Sequence, residues 1–427
     1  MLMLLAWTLV ASCDPDALTP CWTAHIGDGV EWCEALEDEA GSRLLVCTRA
    51  HALHLLDAGN GRPLTERPAR VGRGARFAGH AAGRAYVFDR DIVYCFATSR
   101  HEAAAQAGRL LWSAGQAPAP TERRDADPEF LLQILAACLT DAGVVFARSD
   151  GRVGVLDAAT GELRRSWQLP RLAHARLHGE GATVGLVAVA EGSGLASVWP
   201  ADAPRPPARL ALSRSAPTWS AIAAGRLALL WPDEVRLVGA DGSDRSARAP
   251  SGRFMAGAAQ AVVLRGGEGA GPAVWLGRDD GGISRVDGAG VATQPLADPP
   301  RAAVTHLRAG RDVVICAAGD ELRLWNAADG RAVAGERLPP RSGIVALHAA
   351  GSRAFALRRA AVGQPAEIPT EYALLWCDAE SRGAPGGERR FRGARLAEAG
   401  EATSAAWMRD RLVLIERGAL RVYRLPE

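Results

Sequence analysis

The chain of 427 residues contains no lysine at all: its 50 basic residues are all arginine. That absence excludes a P-loop lysine, a Schiff-base lysine, a kinase-type lysine and any catalytic lysine. Asparagine is nearly missing too, with only Asn60 and Asn326. No G-x-S-x-G, G-x-G-x-x-G or H-E-x-x-H sequence is present, which removes the usual warrants for a hydrolase elbow, a dinucleotide fold or a zincin. None of the eight cysteines forms a C-x-x-C pair, so zinc and thioredoxin chemistry lack support. Arg residues balance 48 acidic ones to a net charge of +2, too neutral for a nucleic-acid footprint. No long amphipathic helix pattern interrupts the chain, and an α/β reading fails with it.

What is present is hydrophobic and turn-rich: 48% apolar residues, 47 Gly and 25 Pro, enough to bury a sizeable core. A hairpin recurs along the chain. An apolar strand, a tight polar turn and an alternating strand lead into an Asp-Ala-x-x-Gly turn. The clearest copies are Val144 to Gly161, Val313 to Gly330 and Leu44 to Gly61. Looser ones span Tyr86 to Ala97, Leu227 to Val238, Val274 to Asp287, Phe355 to Asp378 and Leu412 to Leu425, with a ninth candidate at Val184 to Trp199. Asp or Asn opening such a turn accepts bonds from backbone amides ahead, and the closing Gly takes a left-handed conformation. From Gly41 to Asp410 the copies repeat about every 46 residues, the period of β-propeller blades.

The expected fold is therefore all-β: one propeller of four-stranded blades. We expect eight blades, within a range of seven to nine, with Val184–Trp199 as the copy that is merged or decorative. The last hairpin ends two residues before the chain stops, while Trp22 to Ile26 is an unclaimed strand at the other end. This strand is expected to complete the last blade and close the ring. Two loop inserts stand out, near 116–129 and 358–372. Both connection types fall on one face of a propeller disc, which points to a protein partner there or to tolerated loops in equal measure.

At the start, the apolar run Met1 to Val10 is too short to span a bilayer and suits the core of a signal peptide. With Ala11-Ser12-Cys13 it resembles the lipobox of bacterial lipoproteins, although no basic residue precedes the run. The resemblance implies a signal peptide over 1–12, lipidation of Cys13, a short tether over 13–21, and a propeller over 22–427. It also implies a bacterial cell-envelope location on the periplasmic side, the membrane being reached through the lipid anchor only; a cytoplasmic location is the alternative. Cys47, Cys95, Cys316 and Cys377 lie in apolar strand-like runs and read as small buried hydrophobes. Cys21 and Cys33 flank a short turn and are placed to pair if the protein is exported.

The phrase Asp-Ala-Ala-Thr-Gly, followed by a strand ending in Trp (Gly161 to Trp167, and Gly108 to Trp112), resembles the pyrroloquinoline-quinone-like propeller repeat of bacteria. Trp22 looks like the same Trp at the chain start. Leu324-Trp325-Asn326 resembles a WD repeat, the second choice because Gly-His occurs only at Gly79-His80. Quinoprotein dehydrogenases of the first class bind their quinone beneath an adjacent-cysteine disulfide. They hold calcium with carboxylate and amide ligands. This chain has no Cys-Cys, and both Asn lie in blade turns, so those residues do not carry over and no cofactor is expected. Nor are catalytic or metal residues. His51 and His54 are expected on opposite strand faces, and His174 and His178 on one face without forming a metal site. Asp279-Asp280-Gly281-Gly282 reads as a hairpin turn rather than a calcium loop. Glu37-Asp38-Glu39 and Arg389-Arg390-Phe391-Arg392 read as solvated edges, and the twelve Trp as interblade packing.

These readings lead to a monomeric, non-catalytic propeller lipoprotein that presents one disc face to a protein partner. It is similar to the propeller lipoprotein of the outer-membrane barrel assembly machinery. An enzyme or ligand sensor using the central channel, or a cytosolic WD-type scaffold, are the alternatives.

Overall fold

Period-two apolar strands joined by turns of Asp, Asn and Gly have no way to bury their faces singly, and stacking like units edge to edge around a circle solves the problem. A computed structural model describes residues 17–38, 41–99, 107–115, 132–190, 192–204, 210–212, 216–223, 225–248, 253–254, 261–262, 273–287, 296, 298–339, 342–361, 370–380 and 390–426. The whole of 1–16, Cys13 included, and all of 116–131 lie outside them.

The described residues form nine antiparallel sheets and no helix. In chain order we number the blades 1 to 9: 30–70, 76–115, 134–168, 172–212, 219–248, 261–287, 304–337, 342–395, and 402–424 joined by Trp22–His25. Each has four strands, apart from blade 6, where three are described. The count is nine, the upper end of the expected seven to nine rather than the favoured eight. Val184–Trp199, expected to be merged, supplies the second and third strands of a full blade 4, between Leu172–Glu180 inside and Leu210–Leu212 outside. Its hairpin lacks the Asp-Ala-x-x-Gly signature, but its apolar faces fill two interblade cores like any other.

The closing strand is where the sequence placed it. Trp22 pairs with Val422 and His25 with Ala419, so blade 9 takes its outer strand from the chain start. Buried clusters straddle successive blades all the way round, including blades 9 and 1 through Val30, Leu44, Val46, Val413 and Leu420. At that seam Glu37 Oε1 accepts the Arg409 amide at 2.8 Å, and Asp38 pairs with Arg43 at 2.9 Å. Glu37 is thus an exposed residue that also bonds across the seam, Asp38 pairs within its own blade, and Glu39 lies outside the described residues.

Turn chemistry follows the sequence closely. Asp157 Oδ1 accepts the Ala159 and Thr160 amides at 2.7 and 2.8 Å, Asp57 and Asn326 do the same in their blades, and Gly61, Gly161 and Gly330 close with φ near +70°. Asp280 organises the hairpin turn at 279–282, with its Oδ1 accepting the Gly282 amide at 2.9 Å. A tryptophan from the preceding blade docks on two of the Asp-Ala-x-x-Gly turns. The Trp22 indole donates to the Ala58 carbonyl at 3.0 Å, and Trp112 to Ala158 at 3.1 Å. A Cβ on Gly61 or Gly161 would come within 2.5 or 2.6 Å of these rings. At Gly330 Leu296 fills the same place.

Seven of the nine innermost strands carry a bulge near their start, for example between Leu172 and His174 and between Val304 and His306. The bulge re-aims the side chains that follow it. Among the described cysteines, Cys21 is exposed and Cys33, Cys47, Cys95, Cys138, Cys316 and Cys377 are buried, and Cys21 and Cys33 do not make the pairing envisaged for them. Burial pushes the Cys47 and Cys138 thiols up to about 12, which keeps them protonated and unreactive.

Candidate interaction face and interblade groove

The connections from each outer strand to the next inner strand share a disc face with the turns between second and third strands. The insert around 116–129 follows the outer strand Leu110–Gly115 of blade 2 and precedes the inner strand Ile134–Thr140 of blade 3, on that face. The insert at 358–372 is shorter than expected. Arg353–Ala361 and Thr370–Asp378 continue their ladder as far as Ala361 opposite Thr370, because the alternating pattern persists there. Only 362–369 lies outside the described residues. The two inserts sit on blades 2/3 and blade 8, with whole blades between them in either direction.

At the foot of the first insert a groove of about 260 Å³ runs between blades 2 and 3. Its walls are Val93 and Gly115 on one side and Ile134, Phe146 and Leu156 on the other, with Leu132 and Leu163 at its ends. Among the described residues only three large hydrophobics are exposed: Leu110, Leu132 and Leu163, all on these two blades, the last two at 44% and 43%. The Phe146 ring of that wall lies against Gly154, where a Cβ would meet it at 2.5 Å.

The polar rim is set by the turn 149–152. Ser149 Oγ accepts the Gln133 amide at 3.0 Å, and Gly151 turns with φ +88°. Asp150 accepts from Arg148 Nε at 3.2 Å and from the Arg152 amide at 3.1 Å. Partial burial alone would raise the Asp150 carboxyl, but these bonds and the two guanidinium charges hold it below its ordinary value. The turn thus fixes Arg148 as a paired charge, and Arg152 and Asp91 also line the groove. Apolar walls with a few fixed polar groups suit an apolar side chain flanked by polar ones.

The histidines disperse. His51 sits in a turn with φ +61°, not on the strand that holds His54. His174 is exposed, while His178 Nε2 lies 2.8 Å from Ser220 Oγ of blade 5. Among the described residues no three His, Cys, Asp or Glu side chains come together as metal ligands. Within 390–392, Arg390 and Arg392 are exposed as expected, while Phe391 is buried in the core between blades 7 and 8. Among the described tryptophans, four pack between blades as expected: Trp32 against Phe77, Trp167 edge-on to Trp199, and Trp407 on His348. The sequence did not single out Leu132, Leu163 or Arg152. Their only signal was position, at the edges of an insert and of a turn.

No protein-family model matches the chain, and no curated protein resembles it in sequence. Solved structures do. The computationally designed Ika8 protein aligns with 96% of this chain and 100% of its own, at 15% identity and a TM-score of 0.51. The C-terminal WD40 domain of Sif2 aligns with 96% and 99%, at 10% identity and a TM-score of 0.50. BamB from Moraxella catarrhalis covers 82% of this chain and 96% of its own, at 14% identity and a TM-score of 0.45. At such identities the likeness is one of fold. By sheet order, core circuit and structural likeness, the chain is a β-propeller.

Proposed function

We propose that this chain is a non-catalytic propeller scaffold, held at a bacterial cell envelope by a lipid on Cys13, that presents the disc face of the 116–129 insert to a protein partner. The observation that carries the partner-binding part is the groove between blades 2 and 3. It gathers two of the three large hydrophobics exposed among the described residues: Leu132 at the end where the insert emerges, beside a fixed polar rim, and Leu163 toward the opposite end of the seam. Exposed apolar side chains grouped in this way mark interaction sites more often than solitary ones do. The paired Trp22 and Trp112 contacts with the Asp-Ala-x-x-Gly turns favour the quinoprotein-like repeat over the WD repeat as the nearer kin. The anchor rests on the sequence Val10-Ala11-Ser12-Cys13 alone.

Two variants test the parts separately. Cys13→Ala should move the protein from the membrane to the soluble fraction of its host; unchanged fractionation would sink the anchor. A Leu132→Glu, Leu163→Glu pair should lose the protein partner captured by wild type from host membranes while keeping the wild-type melting temperature. Retention of that partner would remove the groove from the interface.

A further inference from the structure

The innermost strands of blades 4 and 7 carry the same three-residue pattern at the same register. His174-Ala175-Arg176 follows the bulge after Leu172, and His306-Leu307-Arg308 follows the bulge after Val304. In each strand the intervening positions turn into the preceding interblade core, as Leu177 and Leu307 show, so His and Arg share the other face. Both flanks of these strands are covered by neighbouring blades. A side chain exposed halfway along one therefore reaches solvent through the opening at the ring's centre, and His174, Arg176 and Thr305 are exposed.

Among the described residues no carboxylate pairs with Arg176 or Arg308. Arg308 is half-buried, and its Nε donates to the Leu347 carbonyl of blade 8 at 3.3 Å. Burial pulls its pKa down, and its charge helps to keep His306 and His348 below their ordinary value, after burial itself. Of the acids on these strands, Glu180 spends an oxygen on the Gly225 amide at 3.0 Å. The acids Glu31, Glu34 and Glu37 belong to blade 1, which neighbours blades 2 and 9. Arg308 is half-buried with one carbonyl partner and Arg176 is exposed, and a bound oxyanion would offer both charge-assisted hydrogen bonds.

We propose that the opening at the centre of the ring is an oxyanion-binding site. Arg308 and Arg176, fixed on the inner strands of blades 7 and 4, each hold a carboxylate or phosphate group of one small polyanion. The site is separate from the rim groove and does not depend on it.

Calorimetric titration of the full chain with citrate and with pyrophosphate tests this, against sodium chloride at matched ionic strength. Saturable binding of either is expected, and the tighter of the two identifies carboxylate or phosphate as the natural group. Arg308→Gln and Arg176→Gln should each weaken it by about tenfold or more, and Arg308→Lys by less than Arg308→Gln. Independently of any variant, saturating ligand should raise the His306 titration midpoint followed by NMR, because the bound anion offsets the Arg308 charge. No binding above chloride, undiminished binding in the double Gln variant, or an unmoved His306 midpoint at saturation would each overturn the proposal.

Discussion

His178 and His348 stand two residues before the end of the inner strands of blades 4 and 8, each reaching toward the next blade. One meets Ser220, the other stacks on Trp407 at 5.2 Å with the rings nearly parallel. Burial first, and then the nearby Arg176 or Arg308, lowers both to about 4 from an ordinary 6.5. Between those values the unfolded chain binds more protons than the folded one. Stability present above pH 6.5 is therefore lost as pH falls toward 4, by no more than about 3 kcal/mol for each ring. Replacing His348 by Phe keeps a ring against Trp407 and removes its proton. The fall in melting temperature between pH 7 and pH 4.5 should shrink in His348→Phe; an identical fall would show that this ring is not held neutral. None of this was legible in the sequence. A histidine on an alternating strand gives no sign of which neighbouring blade it will meet.

At the scale of the element, the Asp-Ala-x-x-Gly turn was legible because its hydrogen bonds are local. Asp157, Asp57 and Asn326 bond to amides two and three residues on, and composition alone announces that. What docks on the turn was less so: Trp22 and Trp112 were visible as repeated aromatics, but Leu296 in the same role was not. Two glycines separate backbone from packing. Gly242 and Gly161 have φ of +80° and +74°, yet a Cβ on Gly242 meets open space and one on Gly161 meets the Trp112 ring. Gly242→Ala should cost about 1 kcal/mol through backbone strain alone. Gly161→Ala should cost roughly 2 kcal/mol more, from overpacking. Denaturant titration measures both, and adding Trp112→Ala should narrow the gap. Equal costs would mean that the indole yields without penalty.

For the whole molecule, the ring is held by a strand from its own beginning. Trp22–His25 completes blade 9, and Trp22 crosses the seam to the Ala58 carbonyl of blade 1, where Arg411 of blade 9 also donates. Deleting residues 17–27 should lower the melting temperature sharply and leave Ala419–Arg424 as an open edge. Light scattering should then detect self-association that the intact chain does not show. A truncated chain as stable and as monodisperse as the full one would mean that the core between blades 9 and 1 closes the ring unaided.

The sequence by itself determined the strands, the turns between them, the all-β class and the closing role of the first strand. Each depends on alternation or on hydrogen bonds within a few residues. The tertiary structure alone decided that there are nine blades, because blade 4 is recognised by the cores it fills and not by its turn. It alone decided that Leu132 and Leu163 border one groove, and that His174-Ala175-Arg176 and His306-Leu307-Arg308 stand at the same register of two innermost strands. Those are meetings of residues far apart in the chain, and their geometry is fixed by how whole sheets stack around the ring.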